Sequence, residues 1–360
     1  MAMPIDISAV MEEALNVDAA RTAALRVSVY FDEFSPGDVQ AHVRQAFASA
    51  SPTARVALSY LDGRPFAPYA GDDMAVVVAG AGEQPGVCAR LLREAGVPCM
   101  VVTSMPRIVE ALAREAGSPI PPEDLVAPRA PRADAEVEGG AQEAAAAVLA
   151  EPYAMDEAAC ASLDARMGQW IVEACEGRRL AFALAFPFVR RPLALEAVSS
   201  TALQNAGVGV MPLLSSADLP IMTLNQAKMV ILIAAAYGLE MAPERALELA
   251  LVVGGAFACR RAARALVAAA PGGRLLVKGA VGWAGTQAVG RAAIALYEDG
   301  RVPAAVSELV GLLRERAGRP EPPDGTAPDA ADSGAGAPSA ASKVASLVAR
   351  AAAPKGGAAS

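Results

Sequence analysis

Two sets of residues in this chain have types and spacings that could do chemistry. The first is Gly80-x-Gly82 with Gly86, which follows the apolar run Met74–Ala81 and precedes a helical pattern. A glycine turn at a helix N-terminus presents backbone N–H groups that can cradle phosphate. Thr103 and Ser104 close the next apolar run. Together these residues would form a nucleotide or cofactor site at the C-terminal ends of strands, where α/β folds bind ligands. The competing reading is a plain tight turn, because Pro85 and Gly86 fall one place late for G-x-G-x-x-G. No G-x-x-x-x-G-K-[ST] occurs. After the first strand, where a P-loop would stand, the chain reads DEFSPGD, and Asp32, Glu33 and Asp38 would repel phosphate.

The second set is polar. Gln204, Asn205, Asp218, Asn225, Gln226, Lys228, Lys278, Thr286 and Gln287 stand inside otherwise apolar helical patterns. Buried polar groups need partners. These residues therefore pair with one another as a structural network, or line a ligand or partner site. Lys228 and Asp218 are one candidate ion pair. Gly279, Gly282 and Gly285 recur every three residues around Trp283 and read as close helix packing. His42 is the sole histidine and sits in a polar helical pattern that reads as surface; a single histidine removes Cys/His zinc sites and most His-dependent triads. Five cysteines with no C-x-x-C pair read as reduced structural thiols. No catalytic residue, metal ligand or cofactor is assigned.

The elements that must position these residues fall into two regions. LRVSVYF (Leu25–Phe31), ARVALSYL (Ala54–Leu61), MAVVVAGA (Met74–Ala81) and VPCMVVTS (Val97–Ser104) read as strands, the last two as continuous apolar runs buried on both faces. The helices between them include one capped by Ser35, one opening at Pro85 and ending at Gly96, and one closed by Gly117. This alternation predicts a small, mostly parallel α/β sheet of about four strands. Ser118–Gln142 is Pro-, acid- and Gly-rich and reads as a linker. From there the pattern is helical, beginning with the amphipathic Met155–Gly177 and ending near Ala317, and the Pro/Ala/Gly/Ser-rich remainder reads as a disordered tail.

The longest apolar runs lie in Asp218–Cys259 and read as a helical hairpin. Thr223 and Gln226 form a capping box for its first helix, and Gly238 ends that helix. Pro243 opens the second. Each charge-free run is about 11 residues, roughly 16 Å of helix. A bilayer core of ~30 Å needs about 20 apolar residues. Neither helix spans alone, so the hairpin is either a buried core or a shallow membrane insertion.

The chain is 54% apolar but only 4% aromatic, with a net charge of −8, which argues against nucleic acid as partner. Its first residues show no signal-peptide pattern. A cytoplasmic place is expected, with peripheral or shallow contact at the inner face of the cell membrane as the sharper variant. Arg178-Arg179, Arg190-Arg191 and Arg260-Arg261 beside apolar segments suit an anionic surface.

QNAGVGVMPLLSSADLPIMTLNQAKMVILIAAAYG, then ELALVVGGAF, then VKGAVGWAGTQAVGRAAIALYEDG resemble the bacterial GTPase-associated helical domain family of unknown function, which includes YcjF-like membrane proteins. WIVEACEGRRLAFALAFPFVRRPLA is similar to that family's lead-in, so the resemblance covers roughly Met155 to Gly300. In that family the helical block is fused to, or encoded with, an Era-like GTPase. The resemblance implies that VSVYF, VALSYLDG, DDMAVVVAGAG and VPCMVVTSMP stand for the first, third, fourth and fifth strands of a G domain. Asp62-Gly63 resembles a remnant of D-x-x-G. Thr103-Ser104-Met105 stands where N-K-x-D belongs and has lost its reading residues. Without P-loop, Mg-holding Ser/Thr or guanine-reading Asp, GTP hydrolysis is not expected.

The expected architecture is thus an N-terminal arm (1–24), a degenerate GTPase-like α/β domain (25–127), a linker (128–152), an all-α helical domain (153–317) and a tail (318–360). Three functions fit it: a non-enzymatic scaffold that binds a protein partner, with a GTPase as the first candidate; a nucleotide-binding protein with an unorthodox site at the strand ends; and a homo-oligomer built by the helical core.

Overall fold

The computed structural model describes residues 19–49, 51–129, 151–210, 218–239 and 274–299. The second helix of the hairpin, the tail, and most of the arm and linker lie outside these residues. The chain divides into two compact units, one of Asn16–Leu193 and one whose described residues begin at Ala194. It is a small, all-parallel α/β sheet followed by helices.

Five strands form the sheet: β1 (Leu25–Asp32), β2 (Ala54–Leu61), β3 (Met74–Val78), β4 (Cys99–Val102) and β5 (Leu125–Val126). They run parallel in the order β2-β1-β3-β4-β5. The chain steps from β1 one way to β2, then back the other way to β3, β4 and β5. Crossovers between parallel strands are right-handed, so the direction of travel decides which face each helix covers. Helix α1 (Gly37–Ala46) therefore takes one face, and α2 (Gln84–Glu94) and α3 (Pro106–Glu115) take the other. On the α2–α3 face Ala75, Val77, Ala79, Cys99 and Val101 pack with Ala89, Leu92, Val109 and Ala113. The alternate residues, Val29, Phe31, Val76, Val78, Met100 and Val102, are equally buried on the α1 face.

One helix cannot cover that second face. The layer is completed by α4 (Glu157–Ala174), α5 (Arg179–Ala185) and the start of α6 (Pro187–Val210). Trp170 Nε1 of α4 donates to Asp124 Oδ1 at 3.3 Å, and His42 of α1 meets Asp164 of α4 at 2.7 Å. Ser49 Oγ donates to the Ala185 carbonyl at 3.0 Å, and the Phe47 ring lies 5.1 Å from Phe186 and 5.2 Å from Phe188. These helices belong to the sheet unit, whereas the sequence pattern groups them with the later helices. His42 is likewise no free surface residue: its ring is largely covered by this contact.

Three further expectations are corrected. The Pro-rich segment that reads as a linker supplies β5, a two-residue strand too short to show alternation. Ser35 does not cap α1; its hydroxyl donates to the Asp32 carbonyl at 2.6 Å, and the capping position is Pro36. The third concerns the second unit.

That unit contains the end of α6, then α7 (Asp218–Ala236) and α8 (Arg274–Asp299). Val198, Met229, Val230, Ile233, Val289, Ala293 and Ile294 form its core. Helix α7 already begins at Asp218, so Thr223 lies inside it and does not stand at its N-terminus. Its end is as the sequence indicates. Gly238 has φ +77°, its N–H donates to the Ala235 carbonyl at 2.8 Å, and the Leu239 N–H reaches the Ala234 carbonyl at 3.1 Å. Close packing uses Gly282 and Gly290. A Cβ on Gly282 would stand 2.8 Å from the Asn205 carbonyl oxygen, and one on Gly290 would stand 2.2 Å from Val198 Cγ2. Gly285 faces open space and takes no part. Among the described residues no helix is long and apolar enough to cross a membrane.

Candidate functional site

The C-terminal edge of the sheet is where a parallel α/β fold offers a ligand site, above all where the strand order reverses, between β1 and β3. The sequence places Gly80, Gly82, Thr103 and Ser104 at this edge, and the structure agrees. What it adds is that the chain itself occupies the edge.

Gly80 lies two residues past the end of β3, and its N–H donates to Asp32 Oδ2 at 3.0 Å. Asp32 ends β1 and is only 2% exposed. A Cβ on Gly80 would fall 2.1 Å from the carbonyl carbon and oxygen of Phe34, and one on Gly82 would fall 2.9 Å from both Asp32 carboxylate oxygens. The two glycines therefore admit the β1–α1 loop and a carboxylate, not a phosphate. Gly86 lies inside α2, where an added Cβ would meet the Ser118 carbonyl oxygen at 2.7 Å and Ala113 Cβ at 2.9 Å. Its role is the close approach of α2 to the α3 end.

At β4 the outcome is similar. Thr103 and Ser104 are fully buried. Thr103 Oγ1 accepts the Met105 N–H at 3.1 Å, and the Ser104 carbonyl accepts the Tyr153 N–H at 2.8 Å. Helix α3 starts here, and the first N–H groups of a helix attract anions. They already hold one: Glu151 accepts from Arg107 N–H at 3.1 Å and from Ile108 N–H at 3.2 Å through its two carboxylate oxygens. Sequence reasoning flagged Asp32 as hostile to phosphate but missed Glu151. That residue lies 43 positions from Ile108 in a stretch with no periodic pattern, so nothing in its surroundings marks it.

Three of the described thiols, Cys88, Cys99 and Cys175, are buried and poorly placed to act as nucleophiles. Burial pushes Cys88 well above the ordinary thiol range, and pushes Cys99 and Cys175 up to about 12. Burial also raises the Asp124 carboxyl, while the Trp170 hydrogen bond and Arg93 act the other way. Among the described residues no three His, Cys, Asp or Glu side chains gather as a metal site would need.

In the helical unit part of the polar set does converge. Thr286 Oγ1 accepts from Asn205 Nδ2 at 2.9 Å and from Gln226 Nε2 at 3.0 Å, and donates to the Gly282 carbonyl at 2.8 Å. Asn225 Nδ2 donates to Asn205 Oδ1 at 3.0 Å. Asn205, Gln226 and Thr286 are buried, so this is a closed network joining α6, α7 and α8. Gln204 is exposed, and Lys228 and Gln287 are half-buried. Lys228 and Asp218 occur on one helix, about 15 Å apart along its axis, so the candidate ion pair does not form. The side chains of Asp218 and Lys278 lie outside the described residues.

No family model matches the chain, no curated protein matches it, and no solved structure matches it.

Proposed function

We propose that the chain is a non-catalytic interaction protein whose α/β unit has the outline of a ligand-binding sheet with its anion positions taken up internally. One observation carries this reading. At the edge where phosphate would bind, the Asp32 carboxylate holds the Gly80 N–H and the Glu151 carboxylate holds the first N–H groups of α3. An incoming phosphate would have to displace two negative charges from their donors and sit beside them. Calorimetric titration of the full chain with GTP, ATP and NAD tests this. No heat is expected at millimolar nucleotide; a saturable signal with any of them overturns it.

The partner is a protein or a membrane surface. The resemblance of the DLPIMTLNQAKM block suggests a GTPase as the protein partner. A shallow membrane contact is favoured by a separate observation: Leu203 of α6 is 72% exposed and Trp283 of α8 is 47% exposed, both in the helical unit. Trp and Leu on a helix surface are the residue types that enter the headgroup boundary in such contacts. Flotation with anionic liposomes should carry the full chain upward, and Leu203→Ser with Trp283→Ser should reduce the floated fraction several-fold. Equal flotation of both proteins, or none of either, removes the membrane reading.

A further inference from the structure

The two edges of the sheet are treated differently. β5 is two residues long and lies between Pro122 and Pro128, and shortness and proline both discourage strand addition. β2 has none of these protections. It runs for eight residues, pairs with β1 in unbroken register from Leu25↔Ala54 to Asp32↔Leu61, and contains no proline and no lysine. The β2–β3 connection, residues 62–73, contributes no helix to cover it. Among the described residues no second strand pairs with its outer edge.

The exposed side chains of β2 show a pattern. Val56, Leu58 and Tyr60 point to the α1 face, in register with Val27, Val29 and Phe31, and Leu58 is 47% and Tyr60 58% exposed. Arg55, Ala57 and Ser59 point to the other face. Arg44 of α1 hydrogen-bonds the Tyr60 hydroxyl at 2.8 Å and so holds that ring at the rim.

We propose that β2 pairs antiparallel with β2 of a second copy of this chain, about a two-fold axis at Leu58, joining two sheets into one of ten strands. Directly opposed residues in an antiparallel pair share a face, so the axis must pass through a residue and not between two. Centred on Leu58, the pairing sets Leu58 against Leu58 and Tyr60 against Val56, twice, as one apolar row. On the other face Ala57 meets Ser59 and Arg55 meets Leu61. No like charges are opposed. This self-complementarity selects a second copy over an extended segment of another protein.

Light scattering behind gel filtration should give the full chain at twice its 36.6 kDa, and Leu58→Lys should give one copy that still melts cooperatively, at a temperature no longer dependent on protein concentration. The register has its own readout in a background with Cys160 and Cys259 changed to Ser. Opposed residues sit about 4.5–5.5 Å apart between Cα atoms, inside the disulfide range of about 4.4–6.8 Å. Leu58→Cys should therefore form a disulfide-linked dimer under mild oxidation, and Ala57→Cys, which meets residue 59, should not. A wild-type monomer leaves the edge to some other extended segment and overturns the proposal. So does a dimer that survives Leu58→Lys, or equal cross-linking at 57 and 58.

Discussion

Gly80→Ala should strongly destabilise the α/β unit. The added Cβ would stand 2.1 Å from the carbonyl carbon and oxygen of Phe34 and 2.2 Å from the Ser35 nitrogen. These are backbone atoms, so no rotamer change relieves the clash. The neighbouring chain is also tied down: the Ser35 N–H and hydroxyl both bond the Asp32 carbonyl, at 3.0 and 2.6 Å. Moving the loop would break the Gly80–Asp32 bond and leave a buried carboxylate without that donor, a costly state. Overpacking of this kind costs about 3 kcal/mol or more, against a total stability of about 5–15 kcal/mol for a typical domain. Urea denaturation followed by circular dichroism should show a lowered midpoint, or no native baseline. Gly37→Ala is the control: nothing lies within 4 Å of its added Cβ, and its stability should be unchanged or slightly higher. Equal midpoints for wild type and Gly80→Ala would mean that the β1–α1 loop does not sit against β3 as described.

Thr286→Val should be nearly as damaging in the helical unit. The change keeps the shape and removes one hydroxyl. That hydroxyl is the acceptor for both the Asn205 and Gln226 amides, 2.9 and 3.0 Å away. Each buried hydrogen bond lost without replacement costs about 1–3 kcal/mol, so a loss of about 3 kcal/mol is expected. Thr286→Ser keeps the hydroxyl and should lose only roughly 1 kcal/mol, the effect of a missing methyl group. A double-mutant cycle with Asn205→Leu isolates the pairwise part, since the two residues touch and should not act additively. If valine is as well tolerated as serine, the network does not hold the three helices.

Strands with both faces buried were the easiest part of this fold to read. β3 and β4 are unbroken apolar runs, and nothing in the rest of the chain is needed to identify them. β5 could not be read in the same way, because two residues between prolines carry no period. The amphipathic face of α4 was plain, but such a face says only that something covers it. That the covering element is the sheet follows from crossover handedness, which leaves the α1 side one helix short. The polar residues of the helical unit could be named from their types. Their pairing could not, because Asn205 and Thr286 are 81 positions apart. At the strand ends the acidic loop after β1 gave a correct warning, whereas Glu151 acts from a distance that no local pattern reports.

The borrowing of α4 and α5 by the sheet has a consequence during synthesis. The last strand ends at Val126, but the unit is complete only at Leu193, roughly 70 residues later. Ribosomes add about 5–20 residues per second. For several seconds, on the order of the time many domains need to fold, the nascent sheet must keep Val76, Met100 and their neighbours from water with α1 alone. A trigger for nascent-chain aggregation is thus part of this topology, and holdase chaperones that bind apolar strands should engage the chain between these two lengths and release it once Leu193 has emerged.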